Sequence, residues 1–175
     1  KYESLDIVVA EAKTGRILAS ATNPSFDPNL RNLTNYMDEI TSVAFEPGST
    51  MKIFTYMAAL EAGVYKGDEL YKSGGYTTKD NTLISDWNKV GWGYISYDKG
   101  FIYSSNTAVV NLMNKYLNPL YFKNYLLKLG FGSKTGIGGN LESSGKINFK
   151  YETEILNASF GQGITTTPIQ YIKAL

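Results

Sequence analysis

The amino-acid sequence predicts an α+β fold built as one domain. Two strand-like stretches near the N-terminus are joined by a short turn, which predicts an antiparallel hairpin. Longer helical patterns follow, and they do not alternate with strands as the units of a parallel sheet would. The chain of 175 residues is 43% hydrophobic and 14% aromatic, which is sufficient for one substantial core.

The N-terminal part of the chain carries the signals of a hairpin followed by a loop. Residues 5–10 predict a buried strand and residues 17–21 a second strand, and the turn at residues 13–16 contains a glycine, which a tight reversal favours. Residues 23–29 include two prolines and predict a loop. A helical pattern over residues 33–40 predicts a short helix.

Helical patterns dominate the remainder of the chain. Apolar residues at helical spacing start directly after Pro47-Gly48 and stop before Gly63, which predicts a largely buried helix. The composition of residues 63–93 predicts irregular structure with short strands, and residues 130–150 predict a glycine- and serine-rich loop. Three further helices are predicted at residues 106–117, 119–129 and 169–175. The last of these stops in mid-pattern, so we expect more protein to follow in the parent.

The composition excludes several classes of function. The net charge is +1 and no cluster of lysine and arginine stands out, so we expect no nucleic-acid partner. The chain has no cysteine and no histidine, which removes the common zinc sites, disulfides and Cys/His catalysis. No loop has the spacing of acidic residues that calcium or magnesium requires, so neither a metal nor another cofactor is predicted.

The strongest chemical signal is a serine and a lysine three residues apart, Ser49 and Lys52, at the start of the long helical pattern. Such residues are neighbours on one helix face, so the amine can reach the hydroxyl. A serine becomes a good nucleophile only when a base takes its proton, and no histidine is present to do so. Burial and the positive end of the helix would lower the pKa of Lys52 toward neutrality. On spacing alone, the alternative is a capping serine with a lysine that extends to the surface.

Context separates this pair from two others with the same spacing. Chance gives about one Ser-x-x-Lys match in a chain of this composition, and three occur. Ser96 with Lys99 runs straight into a glycine, and Ser143 with Lys146 encloses one, so both pairs are predicted to lie in turns. The pair that begins with Ser49 is the one that opens a sustained helix.

A second chemical signal, Ser104-Ser105-Asn106, stands just before the next helical pattern. A hydroxyl and a carboxamide two residues apart in a tight turn can face one cleft, where Ser104 relays a proton and Asn106 holds a lysine or a substrate carbonyl. The alternative is a capping serine with an asparagine bonded to backbone. The conjunction of both motifs, each at a helix start, favours the catalytic interpretation.

In this order, the two motifs resemble those of the penicillin-binding proteins and serine β-lactamases. Longer stretches resemble the class B, monofunctional penicillin-binding proteins, which are the division- and elongation-type peptidoglycan transpeptidases. The similar blocks are the opening hairpin, the loop after it, the nucleophile segment, and a later glycine turn with its helix, at residues 5–19, 23–29, 45–52 and 160–170. The resemblance spans nearly the whole chain, and the linked blocks are far more specific than either motif alone.

The resemblance implies an antiparallel sheet flanked by helix clusters and a role for each motif residue. Ser49 would attack the carbonyl of a D-Ala-D-Ala stem peptide, with Lys52 as proton acceptor and the backbone N–H of Ser49 as half of an oxyanion hole. Ser104 would carry a proton to the leaving D-alanine, and Asn106 would position the substrate amide and Lys52. An amine from a second stem peptide would then resolve the acyl-enzyme and form a cross-link.

The resemblance also implies partners and a location. Peptidoglycan stem peptides would be the substrates, β-lactam antibiotics would be covalent inhibitors, and divisome or elongasome membrane proteins would bind other parts of the parent. The location would be the extracytoplasmic face of the bacterial cell membrane, with the anchor outside this stretch. Two alternatives share the fold: a serine β-lactamase, which needs a base to activate water, and a β-lactam-binding sensor or scaffold.

One departure from the family pattern concerns the third motif, Lys-Ser/Thr-Gly on a strand at the sheet edge. Residues 1–175 stop before its position, so we expect a partial transpeptidase domain that is at best very weakly active on its own. Lys134-Thr135-Gly136 matches the letters of this motif. Its flanks are rich in glycine and it precedes the later glycine turn, so we predict a loop without a catalytic part.

Overall fold

The computed structural model describes residues 4–30, 35–147 and 149–175, and these form two units. The hairpin unit consists of the described residues in Lys1–Phe45, Leu127–Lys146 and Thr166–Leu175. The helical unit consists of those in Glu46–Leu126 and Ile147–Thr165. Among these described residues the paired strands are antiparallel, and helices and sheets occur together without parallel units, so the predicted α+β class is confirmed. The assignment to one domain stays a prediction.

The hairpin unit is built on strands β1 (Leu5–Ala10) and β2 (Ile17–Asn23), which pair as predicted. Side chains of a strand point alternately to its two faces. On one face of β1, Leu5, Ile7 and Val9 are each about half exposed, whereas the residues between them are partly buried. The expectation of a buried β1 is therefore wrong for this face, because the helices of the unit cover the sheet on one side.

Two helices of the hairpin unit, α1 (Glu39–Ser42) and α7 (Pro168–Ala174), contact each other and β1. The predicted C-terminal helix is confirmed by α7. Thr167 accepts a hydrogen bond from the N–H of Gln170 at 3.3 Å, and Pro168 occupies the first helical position. Both features are ordinary signals of a helix start.

The bounds of α1 differ from the prediction of a helix over residues 33–40. Residues 35–38 are not helical, and residues 33–34 lie outside the described residues. The carboxylate of Asp38 accepts hydrogen bonds from the N–H of Ile40 (3.1 Å) and the hydroxyl of Thr41 (2.8 Å). Asp38 therefore caps α1, and the helix starts at Glu39, near the end of the segment that was predicted to be helical.

The helical unit has its core at α2 (Lys52–Glu61) and α4 (Asn106–Lys115), which contact each other. A short 3₁₀ helix, Gly48–Met51, leads directly into α2. The side chains that are completely buried at these helices include Met51, Phe54, Ala58, Val109 and Leu112. The predicted helices after Pro47-Gly48 and from residue 106 are therefore confirmed.

Helix α5 (Pro119–Lys128) confirms the third predicted helix. The side chain of Asn118 accepts a hydrogen bond from the N–H of Leu120 at 2.8 Å, so the expected cap and first-position proline are both present. Across residues 4–30, 35–147 and 149–175, the helices all lack the length and apolar character needed to cross a membrane.

Four short strands lie between α2 and α4, as the irregular composition predicts. Strand β3 (Leu70–Lys72) pairs with β6 (Tyr94–Ser96), and β4 (Gly75–Thr77) pairs with β5 (Leu83–Ser85). Strand β5 ends directly before Asp86, whose side chain is completely buried.

Two short helices were not expected from the sequence, α3 (Tyr97–Ile102) and α6 (Glu152–Ala158). Ser96 does not lie in a simple turn with Lys99: its hydroxyl caps α3 by accepting a hydrogen bond from the N–H of Lys99 at 3.3 Å. The glycine that favours a turn, Gly100, lies inside α3, and the packing requires glycine there because a Cβ would approach the Tyr71 hydroxyl to 2.6 Å.

Candidate active site

Ser49 and Lys52 are in direct contact, as their spacing predicts. Ser49 is exposed in the 3₁₀ helix Gly48–Met51, whereas Lys52, the first residue of α2, has only 3% of its surface exposed. The Nζ atom of Lys52 lies 3.0 Å from the Oγ atom of Ser49. The backbone N–H of Ser49 is in the first turn of its helix, where such groups lack a partner within the helix. The pair thus combines an accessible hydroxyl with a buried amine.

The surroundings of Lys52 favour its neutral form more than water does. Its Nζ atom also lies 2.6 Å from the backbone oxygen of Ser104 and 3.0 Å from the Oγ atom of Ser104. Burial lowers the pKa of Lys52 from 10.5 to about 8, and the negative charge of Asp86 acts in the opposite direction. At pH 7, on the order of one molecule in ten then carries a neutral amine that can accept a proton.

The turn before α4 brings Ser104 to the lysine. Ser104 has a φ angle of 53°, a left-handed conformation that is uncommon for residues other than glycine. In this conformation both its backbone oxygen and its hydroxyl contact Lys52. The next residue, Ser105, caps α4 by accepting a hydrogen bond from the N–H of Ala108 at 3.1 Å. The structure therefore brings three of the four predicted site residues together around one amine.

Asn106 has a different partner from the one that the resemblance implies. Its Nδ2 atom donates to the backbone oxygen of Ser85, at the end of β5, with a distance of 2.9 Å. Within the described part of the chain, Asn106 makes no hydrogen bond to Lys52. Asn106 thus ties the start of α4 to β5 and is half-buried beside the turn that carries Ser104.

The glycine turn at residues 160–163 supports the segment that carries Ser49. The N–H of Gly48 donates to the backbone oxygen of Gly161 at 3.1 Å, and the hydroxyl of Thr55 donates to the backbone oxygen of Ser159 at 2.7 Å. A Cβ atom at Gly161 would lie only 2.2 Å from the backbone oxygen of Gly48. The backbones of Gly161 and Gly48 therefore lie so close together that only glycine fits at position 161, next to the segment that carries Ser49.

Sequence reasoning did not single out Asp86, the acidic residue whose charge acts on Lys52. It is completely buried and follows β5 directly. No local pattern marks it, because its hydrogen-bond partners Gly74, Ser105 and Thr107 are distant in sequence. An isolated aspartate at the end of an apolar strand is the one signal that the sequence offers.

Lys134-Thr135-Gly136 lies in a loop of the hairpin unit and not on a strand, as predicted. The buried carboxylate of Glu142 accepts hydrogen bonds from the hydroxyl of Thr135 at 2.6 Å and from the N–H of Gly136 at 2.8 Å. Lys134 is exposed and donates to the backbone oxygen of Asn140 at 3.3 Å. These contacts give the segment a structural role: they stabilise its own loop.

Comparison with known proteins decides the family. The family model described as the penicillin binding protein transpeptidase domain matches residues 6–175. The chain belongs to the penicillin-binding protein transpeptidase family. The match covers both motifs and the glycine turn, so the geometry above belongs to a penicillin-binding domain.

Individual relatives agree with this assignment. The penicillin-binding domain is 34% identical over 183 residues to stage V sporulation protein D of Bacillus subtilis, covering 96% of this chain and 27% of that protein. It is 32% identical over 187 residues to peptidoglycan D,D-transpeptidase FtsI of Escherichia coli K12, covering 99% of this chain and 30% of that protein. The crystal structure of penicillin binding protein 2X from Streptococcus thermophilus superimposes with a TM-score of 0.85 at 30% identity, covering 98% of this chain and 26% of that one. The chain therefore spans less than a third of the length of these relatives and shares their fold.

We expect Gly161→Ala in the full-length protein to slow acylation of the penicillin-binding domain by penicillin. The added Cβ forces the Gly48 backbone to move, and a displacement of about 1 Å at a reacting group costs on the order of 100-fold in rate. Gly163→Ala is the matched control, because Gly163 also has a positive φ angle (73°) but its Cβ would meet nothing within 4 Å. Stopped-flow measurement of the two acylation rates checks this; equal rates would mean that the close approach does not hold the nucleophile.

We expect Lys134→Ala to leave the acylation rate of the full-length protein within about threefold of wild type, the scale of an ordinary surface substitution. Lys134 is exposed, and its side chain donates to the backbone oxygen of Asn140 in the same loop. A fluorescent penicillin with a time-resolved gel readout is sufficient. A loss as large as that of a Lys52 variant would show that this Lys-Thr-Gly segment takes part in the reaction.

Proposed function

We propose that the parent protein is an acyl-serine D,D-transpeptidase that cross-links peptidoglycan stem peptides ending in D-Ala-D-Ala. The proposal depends on one observation: the Nζ atom of Lys52 lies 3.0 Å from the hydroxyl oxygens of both Ser49 and Ser104. A single amine therefore touches the hydroxyl that must lose a proton and the hydroxyl that can pass one on. Family membership and the similarity to the peptidoglycan D,D-transpeptidase FtsI of Escherichia coli support it.

The first half of the reaction forms an ester at Ser49. Neutral Lys52 accepts the hydroxyl proton of Ser49 as its Oγ atom attacks the carbonyl carbon between the two D-alanines. The negative charge that develops on the carbonyl oxygen faces the backbone N–H of Ser49. When the carbon–nitrogen bond breaks, Ser104 donates its proton to the leaving amine and regains one from Lys52. The products of this half are an acyl-enzyme and free D-alanine.

The second half transfers the acyl group to an amine. A neutral amine of a second stem peptide attacks the ester carbon, and its proton passes through Ser104 and Lys52 back to the oxygen of Ser49. A new amide replaces the ester, so the two stem peptides are cross-linked and the hydroxyl is restored. A β-lactam enters the first half as a substrate mimic: its ring opens on Ser49, but the leaving amine stays tethered and the ester persists.

The proposed partners and location follow from this reaction. Peptidoglycan stem peptides are the substrates and β-lactam antibiotics are covalent inhibitors. The cross-linking of cell-wall peptides takes place at the extracytoplasmic face of the bacterial cell membrane, and we place the parent there. Divisome or elongasome membrane proteins are the proposed partners of its other parts.

The deciding experiment uses the full-length protein with a fluorescent penicillin and, separately, with a stem pentapeptide and an acceptor amine. We expect covalent labelling, slow release of the label, and release of D-alanine coupled to formation of the new amide. Fast release of the label would indicate a β-lactamase. Labelling without D-alanine release would indicate a sensor, and the lack of any label would indicate a scaffold; each of these three results would overturn the proposal.

A further inference from the structure

The carboxylate of Asp86 is completely buried and accepts four hydrogen bonds. Its Oδ1 atom accepts from the hydroxyl of Ser105 (2.9 Å) and the N–H of Thr107 (3.0 Å). Its Oδ2 atom accepts from the hydroxyl of Thr107 and the N–H of Gly74, both at 2.8 Å. All four donors are neutral, and within the described residues no lysine or arginine forms an ion pair with it. Burying a charge that neutral donors alone stabilise costs folding free energy, so we expect this carboxylate to have a function.

Three of the four donors belong to the turn that begins α4. Asp86 accepts hydrogen bonds from Ser105 and Thr107, the residues on either side of Asn106. The side chain of Asn106 donates to the backbone oxygen of Ser85, the residue before Asp86. Together these bonds fix a turn in which Ser104 has a left-handed backbone. Such a conformation costs about 1 kcal/mol or more and persists only where the surroundings hold it. We call this set of hydrogen bonds around Asp86 and Asn106 the clamp. The clamp holds both oxygens of Ser104 toward Lys52.

The charge of Asp86 reaches Lys52 without touching it. Among the described residues, Asp86 is the charged group that acts on Lys52, and it stabilises the protonated amine against the effect of burial. The titratable group that faces Asp86 from β3 is Tyr71, and burial together with that carboxylate raises the pKa of its hydroxyl to about 12. Tyr71 therefore stays neutral near pH 7, and the negative charge on this side of Lys52 comes from Asp86.

We propose that Asp86 is a positioning residue for acylation, which clamps the Ser104 turn against Lys52 and places a buried negative charge next to that turn. This inference depends on the function proposed for Ser49. It assigns two separable effects to one carboxylate. Loss of the clamp lowers the rate at every pH, whereas loss of the charge moves the pH at which the base becomes neutral.

The test is the pH profile of acylation by benzylpenicillin in the full-length protein, for wild type and Asp86→Asn. The variant keeps the shape of the side chain but removes the charge and two of its acceptor sites. We expect the plateau rate to fall about tenfold or more and the midpoint of the rise to move to lower pH, because protonated Lys52 is no longer stabilised. Asp68→Asn, at an exposed carboxylate of the same unit, is the matched control and should match wild type. A plateau within twofold of wild type or an unmoved midpoint would overturn the inference.

A second pair of variants decides the matter if Asp86→Asn does not fold. Thr107→Val removes one hydroxyl from the clamp and leaves the charge in place, whereas Thr107→Ser keeps the hydroxyl. We expect the valine variant to acylate several-fold more slowly with an unmoved midpoint, and the serine variant to restore the rate. Equal rates in valine, serine and wild-type proteins would overturn the clamp. If wild type itself forms no adduct, the proposed function fails; if wild type labels and the Asp86 and Thr107 variants behave like it, this inference alone fails.

Discussion

Ser49→Ala in the full-length protein should abolish covalent attachment of penicillin while the fold is retained. The variant lacks the only oxygen that lies both at the surface and within 3.0 Å of the buried amine of Lys52 in the described site. Ser104, the other residue whose hydroxyl contacts that amine, is half-buried and does not replace it. Mass spectrometry of the intact protein after incubation with penicillin measures the adduct, and circular dichroism measures the fold.

Two other serines make internal controls for this experiment, since Ser96 and Ser143 begin the other Ser-x-x-Lys matches. Ser96 caps α3, and the hydroxyl of Ser143 accepts a hydrogen bond from the N–H of Gly145 at 3.2 Å. Ser96→Ala and Ser143→Ala should both label at the wild-type rate. Peptide mapping that located the adduct on Ser96, Ser104 or Ser143 would falsify the assignment of Ser49.

Lys52→Arg should slow acylation by at least about 100-fold, the usual scale for the loss of a positioned base. The guanidinium keeps the positive charge but does not release its proton in the accessible pH range, so it cannot accept the proton of the Ser49 hydroxyl. Stopped-flow mixing with a chromogenic cephalosporin measures the rate. Lys99→Arg, at the exposed lysine of the second Ser-x-x-Lys match, is the control and should leave the rate unchanged.

The pH dependence gives the same prediction a second readout. Because the pKa of Lys52 is about 8, the fraction of neutral amine grows as the pH rises toward and past 8. The wild-type acylation rate should therefore increase with pH and level off above this value, whereas the residual rate of Lys52→Arg should lack this rise. A wild-type profile that is flat between pH 6 and pH 9, or near-normal acylation in the arginine variant, contradicts the role of Lys52 as proton acceptor.

Local signals explain which parts of the fold and site could be predicted from the sequence. The start of α5 is visible because Asn118 and Pro119 occupy cap and first position. The contact of Ser49 with Lys52 is visible because helix geometry alone brings residues three apart together. Each of these features depends on residues within one turn of the chain.

The parts that sequence reasoning missed depend on contacts between distant segments. Asp86 holds Thr107 across 21 residues, and Asn106 donates to Ser85 across the same separation, so neither link leaves a local pattern. The sequence predicts a turn at the start of α3 because Gly100 is unfavourable in a helix, yet packing against Tyr71 requires a residue without a side chain there. In each case tertiary contact overrides the local preference.

The burial of Lys52 also bears on the stability of the folded protein. In the unfolded chain this amine holds its proton up to pH 10.5, whereas in the folded state it does so only up to about pH 8. Folding is therefore opposed by on the order of 3 kcal/mol below pH 8, and this cost disappears as the pH rises from 8 to 10.5. That is a substantial share of the 5–15 kcal/mol that typically separates folded from unfolded domains. The protein gives up part of its resistance to unfolding in order to keep a proton acceptor ready beside Ser49.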